Sequence, residues 1–184
     1  NDFFIRKLKP ECRPIDPHLD RLSMPADGRY LVFPHIHQAQ GFYVKGQSFD
    51  LKSFLQNDLL AQRYEEGAMM IARLCPTDYH RFHFPCKGTP SKVRPIKGSL
   101  YSVNPNAVGK QLRILWDNKR VLTELITEHA GVIAMVEVGA TCVGTIHQTY
   151  VPNQLVEKGE EKGYFSFGGS CLVLLFEQGR IVFD

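Results

Sequence analysis

The run Gly163-Tyr164-Phe165-Ser166-Phe167-Gly168-Gly169-Ser170-Cys171-Leu172-Val173-Leu174-Leu175-Phe176 joins two apolar, strand-like stretches at Gly-Gly-Ser. The plain reading of such a junction is a hairpin turn. A chemical reading also exists. Ser170 follows the carbonyl of Gly169, which no side chain shields, and its hydroxyl could attack that carbonyl if the local backbone is strained. A second cluster, Pro76-Thr77-Asp78-Tyr79-His80-Arg81-Phe82-His83-Phe84-Pro85, sets two histidines three residues apart beside a carboxylate and an arginine. Histidine moves protons near neutral pH, and on one turn of helix His80 and His83 would share a face. Structural histidines packed among aromatics are the alternative. The third candidate is Asp27 in Met24-Pro25-Ala26-Asp27-Gly28. Asp-Gly is ordinarily a turn, but an aspartate here could orient a histidine as the acid of a Ser-His-Asp triad does.

Other chemistries find less support. His35 and His37 form an H-x-H that a zinc reading would recruit, yet no third ligand, H-E-x-x-H or Cys-x-x-Cys joins them, so no metal is expected. No glycine-rich phosphate loop is present, so no nucleotide cofactor is expected. The cysteines are Cys12, Cys75, Cys86, Cys142 and Cys171, an odd number that argues for a reducing compartment and small buried roles rather than a disulfide framework.

The elements that must position these residues read as mainly β. Tyr30–Phe33, Gly41–Lys45, Met69–Leu74, Lys92–Ile96, Val121–Thr127, Val132–Val138 and Val143–Gln148 are short runs rich in β-branched or aromatic residues, separated by turn signals. Leu51–Leu60 reads as a helix with Asp50 as N-cap, and Leu112–Trp116 reads either way. The opening residues, with Phe3, Phe4, Ile5 and Leu8 before Pro10, Pro14 and Pro17, suggest a short helix followed by an extended arm. The expected fold is a single compact α+β domain over 1–184, sandwich- or barrel-like, with a few short helices.

The chain has 184 residues, 43% of them hydrophobic and 22% charged, which suits a globular domain with a substantial core. A net charge of +3 is too slight for a nucleic-acid partner and is compatible with an anionic membrane surface, and equally with no charged partner. No apolar run reaches the roughly 18 residues that a membrane span needs. The start at Asn1 rather than Met, and the end just after Val182, are expected of a piece of a longer product lacking an N-terminal segment.

Taken in order, several blocks resemble the phosphatidylserine decarboxylase family: Asn1 to Pro10, Asp27-Gly28, Asp78 to Pro85, Leu100-Tyr101-Ser102-Val103-Asn104, Asn118-Lys119-Arg120, Val138-Gly139-Ala140, Val143-Gly144-Thr145-Ile146 and Phe167-Gly168-Gly169-Ser170. The resemblance covers nearly the whole chain. It implies that Ser170 attacks Gly169, that the ester splits by β-elimination, and that a pyruvoyl group is left at position 170. Residues 1–169 would then belong to a β subunit and 170–184 would begin an α subunit. It implies Asp27, His83 and Ser170 as the triad for the cut, with His83 as base and Asp27 fixing its tautomer, and His80 for decarboxylation. Phosphatidylserine would condense with the pyruvoyl as a Schiff base, lose CO₂ and leave as phosphatidylethanolamine. Cys171 stands where the family commonly has threonine.

The implied setting is the cytoplasmic side of a membrane, with peripheral attachment; a homo-oligomer stays open. The alternatives are a pyruvoyl decarboxylase of a soluble amino acid, which the retained Asp27 disfavours, and a non-enzymatic lipoyl-like binding module suggested by the glycine-punctuated strands from Val143 to Gly159.

Overall fold

The computed structural model describes residues 2–40, 50–101, 117–139, 146–166 and 170–184. Ten strands are defined there: β1 (Arg29–Phe33), β2 (Ala68–Leu74), β3 (Arg81–His83), β4 (Thr89–Pro90), β5 (Arg94–Ile96), β6 (Arg120–Ile126), β7 (Val132–Val138), β8 (Ile146–Gln148), β9 (Glu161–Phe165) and β10 (Ser170–Phe176). Three short helices accompany them: α1 (Ile36–Gln40), α2 (Leu51–Leu55) and α3 (Asp58–Tyr64). The larger sheet runs β1-β2-β10-β7-β6-β4, with β5 also on β6, and the smaller runs β3-β9-β8. The pairings are antiparallel.

The alternation of β10 explains the layering. Cys171, Val173 and Leu175 face one way and join Phe54, Leu55 and Tyr64 of the helices in one apolar cluster. Leu172, Leu174 and Phe176 face the other way and join Phe82, Phe84 and Phe165 of the smaller sheet. A strand apolar on both faces is therefore buried on both, here between a helical layer and a second sheet. Burial pushes the Cys171 thiol up to about 12, and Cys12, Cys75 and Cys86 are likewise free thiols.

The mainly β architecture agrees with the expectation, and β7 has the expected limits. Three local readings are corrected. The single helix over Leu51–Leu60 is two helices, because Gln56 turns left-handed (φ 46) and the Asn57 side chain accepts from Leu60 N–H as a new N-cap. Asp50 does cap α2, accepting from the backbone of Lys52 and Ser53. The first residues form a turn rather than a helix, followed by an extended arm and a 3₁₀ turn over Pro10–Cys12. His80 and His83 do not share a helical turn, because Arg81–His83 is a strand with an irregularity between Phe82 and His83. The expected strand Gly41–Lys45, the stretch Leu112–Trp116 and the first half of Val143–Gln148 lie outside the described residues.

Candidate active site

Asp27 and Ser170 lie at one end of the larger sheet, where β1 and β10 begin and β2 ends, whereas His83 ends β3 of the smaller sheet and His80 directly precedes that strand. Arg29 pairs with Arg73, and Ser170 pairs with Leu74. That register puts Gly28, Leu74 and Ser170 in one row across three strands, so Gly28 and Ser170 stand roughly 10 Å apart, two strand spacings. Gly28 is required there, since a Cβ at this position would lie 2.6 Å from the Arg73 carbonyl oxygen. The turn holding Asp27 is thus pressed against the sheet end where Ser170 sits.

Ser170 is fully buried. By alternation with Leu172 its side chain belongs to the face covered by the smaller sheet. Its hydroxyl has no hydrogen-bond partner among the described residues. An unsatisfied buried hydroxyl costs about 1–3 kcal/mol, so a serine kept in this position invites a chemical explanation. Gly169 lies outside the described residues.

His80 is fully buried and its Nδ1 lies 2.8 Å from the Asp78 carbonyl oxygen. A carbonyl only accepts, so Nδ1 carries the proton and Nε2 the lone pair in the neutral ring. The Phe4 ring lies over His80 with centroids 3.7 Å apart. His83 is half-buried, and its Nδ1 lies 2.9 Å from the Gly159 carbonyl oxygen, which by the same argument leaves Nε2 basic. Burial lowers the His83 pKa from its ordinary 6.5, opposed by the Gly159 contact and by the nearby Glu161 and Asp27 charges. A neutral histidine near pH 7 is the form a general base needs.

Asp27 and His83 line one cavity of about 270 Å³, together with Leu8, Lys9, Arg13, Ile15, Met24 and Tyr79. Two main-chain bonds hold the arm there: Ser23 N–H donates to Pro85 O and His83 N–H to Pro25 O. The Asp27 carboxylate is gripped by the forked guanidinium of Arg13, with Nε donating to Oδ1 at 2.9 Å. Phe82 and Phe84 turn into the core between the sheets, which turns His83 toward the cavity. Ser170 and His80 are enclosed and are not among the cavity's lining residues. His35 and His37 stack on each other at 5.3 Å past the far end of β1, away from this site.

Four partnerships escaped the sequence because they join distant positions: Arg13 with Asp27, Gly159 with His83, Phe4 with His80, and a buried ion pair. In the last, Lys162 Nζ donates to both Glu137 carboxylate oxygens at 2.9 and 3.0 Å and to Gln148 Oε1 at 2.8 Å. Burial pushes Glu137 up and Lys162 down, and their mutual attraction opposes both shifts. Glu137 pairs across the sheet with Leu172, which makes it a diagonal neighbour of Ser170 on the same face.

The family model described as phosphatidylserine decarboxylase matches residues 1–184. The chain belongs to the phosphatidylserine decarboxylase family. It is 52% identical over its full length to the phosphatidylserine decarboxylase proenzyme of Chlamydia muridarum, covering 61% of that protein. It is 48% identical to that of Fusobacterium nucleatum, again covering 61%, and 46% identical to that of Clostridium botulinum, covering 62%. The chain thus spans about 61% of the length of these curated relatives.

Within this phosphatidylserine decarboxylase fold the blocks of the resemblance take separate places. Asp78 to Pro85 forms the turn after β2 and the strand β3. Asn118 donates to the Gly139 carbonyl at 2.7 Å, joining two further blocks beside the same sheet end. Cys171 points into the helical layer, away from the face that carries Ser170.

Proposed function

We propose that this chain carries the self-processing and decarboxylating centre of a phosphatidylserine decarboxylase. The observation that carries the reading is the buried Ser170 hydroxyl, without a hydrogen-bond partner among the described residues, at the sheet end that also holds Asp27. That hydroxyl fits the precursor of a pyruvoyl group. It attacks the Gly169 carbonyl, forming an ester and freeing the Ser170 amine. β-Elimination then splits the chain into 1–169 and a piece beginning at 170. His83 is the base for the hydroxyl, with its Nδ1 proton held by Gly159 and its charged form favoured by Asp27. The pyruvoyl carbonyl supplies an electron sink for the loss of CO₂. His80, with its Nδ1 proton held by the Asp78 carbonyl, takes up a proton on Nε2 and passes it to the substrate carbon after CO₂ leaves.

The largely apolar lining of the cavity, with Leu8, Ile15 and Met24 beside Lys9, and with Arg13 paired to Asp27, supports a lipid substrate, phosphatidylserine, that becomes phosphatidylethanolamine. Phe3, Leu19 and Met24 are exposed on the same arm, in which acidic and basic residues balance; these apolar side chains support peripheral contact with a membrane surface. Among the described residues no helix is long and apolar enough to cross a membrane. The test is CO₂ release from phosphatidylserine against free serine and aromatic amino acids. Release from phosphatidylserine, abolished in His80→Ala that still cuts itself, is expected. Release from a free amino acid alone would refute the lipid assignment.

A further inference from the structure

Tyr79 sits inside the Asp-Tyr-His-Arg-Phe-His run, yet the mechanism above gives it nothing to do. It follows a tight turn in which Asp78 N–H donates to the Cys75 carbonyl and Cys75 N–H donates to the Asp78 carboxylate. Tyr79 lines the cavity with Asp27 and His83, and its ring stacks on the His83 ring with centroids 5.9 Å apart. The residue is only 7% exposed, and a buried tyrosine hydroxyl ordinarily finds a partner. Here no described side chain bonds to it, and it is not sealed from solvent, so it opens on the cavity. Burial raises its pKa from the ordinary 10, the Glu161 and Asp27 charges add to the rise, and Arg81 and the Leu8 backbone N–H oppose it. The phenol therefore keeps its proton near neutral pH and has it to offer to a ligand. The charges around it are nearly balanced. Arg13 and Asp27 are paired to each other, and burial favours the neutral His83. Lys9 lines the same cavity, is exposed, and has no ion-pair partner among the described residues. The lining thus holds one positive charge in surplus. A cavity of about 270 Å³ suits a headgroup rather than the acyl chains of a phospholipid.

We propose that Tyr79 is a specificity-determining residue: its hydroxyl, with the Lys9 ammonium, holds the phosphodiester of the substrate headgroup in this cavity. The inference rests on the decarboxylase reading and names the part of the substrate that this site grips. A serine headgroup offers two anionic groups, a carboxylate and a phosphodiester. The carboxylate gives up its charge as CO₂ departs, so donors fixed on it stabilise the ground state more than the transition state and slow the reaction. The phosphodiester carries the same single charge before, during and after the loss of CO₂. Holding it binds substrate and transition state alike, which lowers KM and leaves kcat alone. The one surplus positive charge of the lining meets that one negative charge, and the neutral phenol adds a hydrogen bond to a charged oxygen.

The test is CO₂ release from phosphatidylserine with glycerophosphoethanolamine as inhibitor, a soluble headgroup that has the phosphodiester but neither the carboxylate nor the acyl chains. Tyr79→Phe keeps the ring on His83 and removes only the hydroxyl. It is expected to raise KM and the inhibition constant by the same factor, roughly ten-fold or more, as a lost hydrogen bond to a charged group requires. Its kcat and its rate of self-cleavage are expected to change little. Lys9→Met is expected to raise both constants as well and to flatten their dependence on salt. A fall in kcat at unchanged KM, or an inhibition constant that matches wild type in either variant, overturns the proposal. So does slower self-cleavage in Tyr79→Phe, which places the role at His83 instead. Wild-type protein that releases no CO₂ from phosphatidylserine overturns the decarboxylase reading instead. Calorimetric binding of glycerophosphoethanolamine to the uncut Ser170→Ala chain then decides the proposal by itself: binding weakened about ten-fold by Tyr79→Phe supports it, and equal binding overturns it.

Discussion

Replacing Lys162 by methionine strands the Glu137 carboxylate between the two sheets, with the Gln148 amide at 2.9 Å as its remaining side-chain donor. Both ion-pair side chains are 0% exposed, so water cannot take the place of the lost ammonium. Breaking a pair at that depth costs about 3–5 kcal/mol. Methionine nearly matches lysine in length and keeps its place near the Phe82 and Tyr150 rings, so the loss comes from the stranded charge rather than a void. Glu137→Leu alone should cost as much, for the mirrored reason. The double variant Glu137→Leu/Lys162→Met should recover most of the loss, because an apolar pair needs no desolvation. The surface pair Lys87–Glu157 is the control: it is closer, at 2.6 Å, but more than half exposed on both sides, and is worth about 0–1 kcal/mol. Chemical denaturation on a Ser170→Ala background, where no cut intervenes, measures all four. The Lys162→Met deficit should also shrink as pH falls, since a buried carboxylate whose pKa burial already raises then takes up a proton. Single-variant losses below about 1 kcal/mol, or a double variant as unstable as either single, would refute the reasoning.

Three further expectations concern the cut. Burial holds the His83 pKa below 6.5, so the base stays neutral as pH falls through that value. The acid limb of a cleavage time course should therefore have its midpoint below pH 6.5, and a midpoint above it would show that another group titrates. His83→Ala should slow cleavage by several orders of magnitude. Asp27→Asn should slow it less, because Gly159 rather than Asp27 receives the Nδ1 proton; equal losses on a gel time course would show that Asp27 carries the orienting role after all.

What could be read from the sequence was local. Val132–Val138 was bounded correctly because a β-branched run ends at glycines on both sides, Gly131 and Gly139. Asp50 was legible as a cap because its partners lie two and three residues on. The split at Gln56 was not, since glutamine gives no sign of a left-handed turn. The helix expected from Phe3, Phe4, Ile5 and Leu8 fails because tertiary contacts claim its groups: Arg81 takes the Ile5 and Arg6 carbonyls and His80 draws in Phe4. Likewise, a histidine spacing that suits a helical turn instead sits on a strand paired with β9, where alternation sends His83 to the cavity. Ser170, His80, His83 and Asp27 were nameable through motif and resemblance, whereas Arg13, Gly159 and Phe4 become visible only when the chain is folded.

The most direct measurement is the intact mass of freshly purified wild-type and Ser170→Ala protein. The account predicts two chains for wild type, split between residues 169 and 170, with a carbonyl in place of the amine at the new N-terminus. It predicts one uncut chain for Ser170→Ala. A wild-type chain that stays whole, or a Ser170→Ala chain cut as readily as wild type, would contradict it.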